Sequence, residues 1–277
     1  MNVLYINLDR DVERRIFFEE NFARYNSCGW VAQRFAAVDK ATIPDGRYGP
    51  TMTKGAVALS ITHRRAIQKS LGMPGHLLLA EDDILFGPNS QAVINKCIGG
   101  MSNQEWDILF TDICVPVPFD MLKILHMKRK CRGSHTVINL KGMVFGGTAG
   151  LVINERAKQK YLKALTDEAL FAEPIDLLIR RLAADGKLNV YCTFPFATSL
   201  SHHADSSSIQ EASVAVENHL WNAFRRAIWT DQDLDVVNED LGKLPGVLFD
   251  PQAQAVARIA AALIVNATLN RTSVEAG

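Results

Sequence analysis

The chain has 277 residues, 48% of them hydrophobic and 22% charged, which excludes disordered and fibrous classes and leaves room for one large domain with or without an appendage. Thirty Lys and Arg balance thirty Asp and Glu, so no global field points to nucleic acid. Five scattered cysteines form no C-x-x-C pair, as expected of reduced thiols in a cytosolic protein rather than a disulfide framework or a zinc site.

Met1 is followed directly by a strand pattern with no basic leader or cleavage site, so no signal peptide is expected. No window of about 18 uninterrupted apolar residues is present, which predicts no membrane span. The first strand is Val3 to Leu8, β-branched and aromatic, ending at Asp9, Arg10 and Asp11. Asp11 is placed to cap a helix over 12–25. A second strand over 31–39 ends at Asp39, and 45–50 is a loop. A helix over 54–71 stops before Gly72 and leads into the run Leu77, Leu78, Leu79, Ala80, Glu81, Asp82, Asp83, Ile84, Leu85, Phe86, read as a buried strand with an acidic tip. Residues 106–111 form the next strand, ending near Asp112.

Residues 116–134 read as irregular, with a basic stretch at 126–132 that is either a solvated loop or a patch facing an anionic acceptor. Residues 143–153 alternate apolar and small residues, a strand approached closely by a ligand or another backbone. Asn154 caps a helix to about residue 165, a further helix opens around Pro174, and 190–194 is a late strand. Residues 199–209 form a polar loop. Helices follow at 210–229 and 252–269, the second a packing or oligomerisation helix or a weak membrane-surface contact.

Alternating strands and helices predict an α/β fold with a parallel or mixed sheet. Neither G-x-G-x-x-G after the first strand nor G-x-x-x-x-G-K-[ST] anywhere is present, which disfavours dinucleotide and P-loop chemistry. Acids end several strands, at Asp9, Asp39, Glu81 to Asp83 and Asp112, and strand carboxyl ends are where open α/β sheets bind ligands. Glu81, Asp82 and Asp83 repel one another unless a cation offsets them. They form either a solvated turn or the seat of a hard divalent ion carrying a phosphate. Asp39 suits a ribose hydroxyl, and Arg10, Arg14 and Arg15 suit phosphate charge or plain solvation.

The segment Val3 to Arg10, with Glu13, Arg14 and Arg15, resembles the opening of glycosyltransferase family 25, the lipooligosaccharide sugar transferases. In the same order, Ala58 to Ala66 resembles the Ser-His-bearing helix of that family, and Leu78 to Asp83 its acidic metal motif. Gly147 to Ile153 resembles its Gly-Thr strand, Pro174-Ile175-Asp176 its Pro-Val-Asp, and Ser207-Ser208-Ile209 its closing Ser-x-Ile. The matches run from residue 3 to 209. Departures are Lys54 in place of an acid, Thr62 in place of a serine, and Glu81 in place of the first Asp of a D-x-D.

The resemblance implies a GT-A-like, Rossmann-type mixed sheet flanked by helices over 1–230, with a helical C-terminal extension over 231–277. It further implies inverting, metal-dependent transfer of a hexose, with galactose the first candidate, from a UDP-sugar to a lipooligosaccharide or related saccharide. Mn²⁺ (or Mg²⁺) would be held by Glu81, Asp83 and a later ligand, His202 or its neighbour His203, although paired loop histidines can equally be exposed. Donor-binding candidates are Asn7, Asp9, Arg10, Arg15, Asp39, His63, Asp82, Gly147 and Thr148. His63 has two readings, a substrate contact or a satisfied histidine behind the acidic strand. Asp176 also has two, a general base for the acceptor hydroxyl or a stabiliser of its helix dipole. The acceptor would be lipid-linked and met at the inner face of a bacterial inner membrane, with peripheral contact and no nucleic acid. The rivals are a pyrophosphorylase-like nucleotide-sugar enzyme and a non-catalytic nucleotide-sugar or saccharide binder.

Overall fold

In the computed structural model, which describes residues 1–46, 48–49, 52–131, 133–206, 215–233, 235–239 and 242, the first apolar run forms β1 (Asn2–Asn7). It is followed by α1 (Val12–Tyr25), β2 (Val31–Ala36), a 3-10 turn at Lys40–Thr42 and α2 (Lys54–Ser70). Next come β3 (Leu77–Glu81), β4 (Ile84–Leu85), α3 (Ser90–Gly100), β5 (Ile108–Phe110), α4 (Pro118–Cys131) and β6 (Thr136–Asn139). The chain continues through β7 (Gly150–Ile153), α5 (Lys158–Ala164), α6 (Asp167–Ala172), α7 (Ile175–Ala184), β8 (Val190–Phe194), β9 (Ser199–Leu200) and α8 (Ala215–Ile228).

Seven strands form one sheet in the order β2-β1-β3-β7-β5-β8-β6, and β4 pairs with β9 beside it. The neighbours β2, β1 and β3 run parallel, as do β5 and β8, whereas β7 is antiparallel to both β3 and β5 and β6 is antiparallel to β8. The expected α/β class with a mostly parallel, mixed sheet is therefore present. Both faces are covered, which is why β1 and β3 read as continuous apolar runs rather than alternating ones. Val3, Tyr5, Leu78 and Ala80 pack with Phe18 and Phe22 of α1 and Val93, Ile94 and Cys97 of α3. Leu4, Ile6, Leu77 and Leu79 face the other way, into a larger core with Ala66 and Ile67 of α2 and residues of α4, α5, α7 and α8.

Several expected elements change in detail. The strand over 77–86 is broken by a turn at Asp82 and Asp83, which lifts the acids out of the sheet. Helix α2 is capped by Thr53, whose hydroxyl accepts from Ala56 N at 3.1 Å. Asp11 makes no side-chain cap bond to α1; instead its carbonyl accepts from Asn7 Nδ2 at 2.9 Å. The basic stretch over 126–131 is not a loop but the end of α4, because Met121, Ile124, Leu125 and Lys128 recur at helical spacing and are buried; residue 132 lies outside the described residues. Strand β7 begins only at Gly150, since Gly147 with φ +81° turns the preceding segment out of extended geometry. Asn154 does cap the next turn, accepting from Arg156 N at 3.2 Å.

Past residue 230 the described chain still packs on the sheet domain, with Asp231 accepting from Asn89 N at 3.0 Å and Val237 buried in the core. The expected helix at 252–269 and the Ser207-Ser208-Ile209 motif lie outside the described residues. Among the described residues no helix is long and apolar enough to cross a membrane.

Candidate functional site

β1, β3 and β5 run in one direction, so their carboxyl ends bring Asn7, Glu81 and, two residues past β5, Asp112 to one sheet edge. Because β7 is antiparallel, its amino end and the Gly147-Thr148 loop before it reach that same edge. There Glu81 N donates to Ala149 O at 2.8 Å and Thr148 Oγ1 donates to Glu81 Oε1 at 2.5 Å. A cavity of about 440 Å³ opens at this edge, lined in part by Glu81, Asp83, Gly147, Thr148 and Asp176. A smaller cavity of about 80 Å³ is lined by Asn7, Arg10, Arg14, Val38, Lys40 and Asp82. Glu81 lines both, so it stands in the wall between them.

The three acids of the turn are not equivalent. Asp82 is tied down on both oxygens, accepting from Asn7 Nδ2 at 2.7 Å and from Arg14 Nε at 2.7 Å. Arg14 Nη2 donates to Asp83 Oδ2 as well, at 3.0 Å, while Asp83 Oδ1 is buried with no hydrogen-bond partner. Burial pushes Glu81 up to about 8, with the charge of Asp83 adding to it, and burial raises Asp83 despite Arg14. Glu81 and Asp83, which both line the larger cavity, therefore lack enough positive charge to stay ionised with ease.

Asp176 holds the glycine loop in place. Its Oδ2 accepts from Gly147 N and its Oδ1 from Leu177 N in the first turn of α7, both at 3.0 Å. A Cβ on Gly146 would stand 2.8 Å from Asp176 Oδ2, so that close approach needs a glycine.

The remaining candidates divide clearly. Arg10 lines the smaller cavity and pairs with Asp39, whose carboxyl is held below the usual range by Ala41 N–H and by Arg10. Asp9 is exposed and pairs with Arg34 at 2.5 Å, and Arg34 Nε also donates to Asn7 Oδ1 at 3.0 Å. Asp9, Asp39 and Arg15 are not among the described residues lining these two cavities. His63 is fully buried in α2, with both ring nitrogens unpaired and its pKa lowered by burial to about 4, and it touches neither cavity. Thr62, beside it, accepts from Val38 N at 2.9 Å and so ties the loop after β2 to α2. His202 is exposed and packs edge-on against Phe17, ring centroids 5.6 Å apart, and it is not among the residues lining either cavity. Lys54 lies at the rim, paired with Asp45 at 2.7 Å.

Sequence reasoning missed the far wall of the larger cavity, which comes from α7 and α8 and includes Arg180, Trp221, Asn222 and Arg225. Arg225 is buried and donates from Nε to Asp112 Oδ2 at 2.6 Å, pairing residues more than a hundred positions apart. A Cβ on Gly147 would lie 3.4 Å from Arg225 Nη1, so this cation stands directly over the loop. Cys114 also lines the cavity, but burial pushes its thiol up to about 12, which rules it out as a ready nucleophile.

Among the described residues no three His, Cys, Asp or Glu side chains converge as a metal cage. Glu81 and Asp83 alone form a two-carboxylate set, which suits a divalent ion whose other ligands are substrate phosphates and water. The unpartnered Asp83 Oδ1 and the raised Glu81 carboxyl fit such a role. No family model matches the chain, and a search of curated proteins finds no match either.

Proposed function

We propose that the chain is a glycosyltransferase of GT-A-like fold that moves a hexose, galactose first among the candidates, from a UDP-sugar to a saccharide acceptor. One observation carries the reading: a single cavity collects Glu81, Asp83, the Gly147-Thr148 loop and Asp176 at the carboxyl edge of the sheet. Open α/β sheets bind nucleotides at that edge. The smaller cavity, with Arg10, Arg14, Lys40 and Val38, is assigned to one end of the nucleotide, and the larger one to the rest of the donor and the acceptor. Trp221 offers a flat apolar face for a sugar ring, and Asn222 and Thr148 offer hydrogen-bonding groups.

Glu81 and Asp83 would hold Mn²⁺ or Mg²⁺, and the chemistry such an ion supplies is Lewis-acid stabilisation of charge on the departing diphosphate. Arg225 stands over the Gly147 loop and adds fixed positive potential to the same cavity. Asp176 is assigned as the group that takes the proton of the acceptor hydroxyl, held in place by Gly147 N–H and Leu177 N–H. The acceptor assigned is a lipid-linked saccharide met at the cytoplasmic face of a membrane.

A second reading, a nucleotide-sugar or saccharide binder without turnover, is favoured by Arg14. Its guanidinium already answers Asp82 and Asp83, so the acidic turn is partly balanced without any metal. Thermal unfolding with UDP, UDP-galactose, UDP-glucose, UDP-N-acetylglucosamine and GDP-mannose, each with Mn²⁺ and with EDTA, tests both. A ligand that binds only the folded state adds about 2.7 kcal/mol at 100 times its Kd. Metal-dependent stabilisation by a UDP-sugar, together with UDP release that Asp83→Asn abolishes, supports the enzyme. Metal-independent binding without release supports a nucleotide-sugar binder, and no stabilisation by any nucleotide refutes the transferase and moves the saccharide binder ahead.

A further inference from the structure

We propose that the outer face of α4 is a docking surface for an anionic lipid bilayer. At 3.6 residues per turn, Phe119, Leu122, Lys123, His126, Met127, Arg129 and Lys130 fall on one arc of roughly 160°. All seven are exposed, while Met121, Ile124, Leu125 and Lys128 point into the protein. The exposed arc holds large apolar side chains, Phe119 at 66%, Leu122 at 46% and Met127 at 38% exposure, interleaved with cations. It holds no carboxylate, although the whole chain has as many acids as bases. The helix's one acid, Asp120, sits at the border and pairs with Lys123 at 3.4 Å, and Lys123 Nζ lies 4.4 Å from the Phe119 ring centre.

Apolar residues among cations on a surface helix suit the boundary between lipid headgroups and acyl chains, and anionic headgroups supply the complementary charge. A second copy of the same face would set cation against cation. The location fits as well. Cys114 and Pro116, which line the larger cavity, lead directly into α4, and Cys114 bridges to Gly146 beside the exposed Val144. The α4 face thus follows in the chain directly on the wall of the cavity. Its link to a lipid-carried acceptor rests on the transferase reading; the surface itself does not.

The test is flotation of the full chain with vesicles of phosphatidylcholine alone and of phosphatidylcholine with one-third phosphatidylglycerol, at low and high salt. Two variants are compared with wild type, Lys123→Gln/Arg129→Gln/Lys130→Gln and Phe119→Ser/Leu122→Ser, each checked for an unchanged melting temperature. Flotation should require the anionic lipid, weaken with salt and fall about five-fold for each cation removed. The apolar variant should weaken it at low salt too. Neither variant should alter UDP-sugar binding or transfer to a soluble saccharide, so failure here and failure of the transferase reading are separate results. The proposal is overturned by absence of flotation, by equal flotation on neutral vesicles, or by flotation that neither variant changes. Binding to a polynucleotide or self-association in place of vesicles overturns it equally.

Discussion

A His63→Met variant should hold its stability in acid better than wild type while keeping its affinity for a UDP-sugar. His63 is fully buried with neither nitrogen paired, and burial lowers its pKa to about 4 from 6.5. Above pH 6.5 the ring is neutral in both states and no penalty arises. As pH falls from 6.5 to about 4 the unfolded chain binds a proton that the folded chain refuses, so stability drops by about 1.4 kcal/mol per pH unit. The loss attributable to this residue is about 2 kcal/mol at pH 5 and about 3 kcal/mol at pH 4. Met fills a similar volume without a titrating group, a class of change that cores tolerate. Urea unfolding of both proteins at pH 7 and pH 5 isolates the effect, because other groups contribute equally to each and cancel in the difference. Parallel pH dependences would refute the buried, neutral assignment. A tenfold loss of UDP-sugar affinity at unchanged stability would make His63 a donor contact instead.

Other expectations follow from the same site. Asp112→Asn strands the buried Arg225 charge and should cost about 3–5 kcal/mol in urea unfolding; a loss under 1 kcal/mol would mean that Arg225 finds water. Gly147→Ala forces a side chain into φ +81° and should cost about 1–2 kcal/mol by the same assay, with donor affinity falling as the loop shifts. Protonated Glu81, with its pKa at about 8, must lose its proton before a cation binds, so apparent Mn²⁺ affinity by calorimetry should rise about tenfold per pH unit up to that value. In metal-free protein the same group works against stability as pH rises from 4.5 to about 8, and a flat affinity profile would remove Glu81 from the metal set. Arg14→Gln leaves Asp82 and Asp83 without their guanidinium, so the metal-free protein should melt lower and Mn²⁺ should stabilise it more than wild type; equal metal shifts would refute the acids as a cation site.

The sheet was legible where apolar runs are long. β1 and β3 are buried on both faces, and a run such as Leu77 to Ala80 has few other homes. The acidic turn was legible as a cluster, but not the inequality within it, which depends on Asn7 and Arg14 arriving from β1 and α1. Glycines misled at 143–149, where small and apolar residues alternate as in a strand but Gly147 turns the chain. Cations misled at α4, whose basic end masked the Met121, Ile124, Leu125 and Lys128 stripe that marks a helix. Arg225 could not be singled out, because nothing near it in the chain distinguishes it from the adjacent Arg226; its partner Asp112 follows β5, 113 positions earlier.

Three neighbouring carboxylates at a strand end demand positive charge, and the fold sets the Arg14 guanidinium among them, which desolvation opposes but Asp83 and Asp82 hold firmly charged. Arg14 pairs with one oxygen of Asp82, whose other oxygen accepts from Asn7, and with one oxygen of Asp83, and among the described residues it makes no hydrogen bond to Glu81. The unanswered charge thus sits on the two acids that line the larger cavity, while the answered acid faces the smaller one. An acid turn built only to be a surface feature would have no reason to divide in this way. The division instead leaves Glu81 and Asp83 as the carboxyls that would hold a divalent ion, at the wall shared by the two cavities.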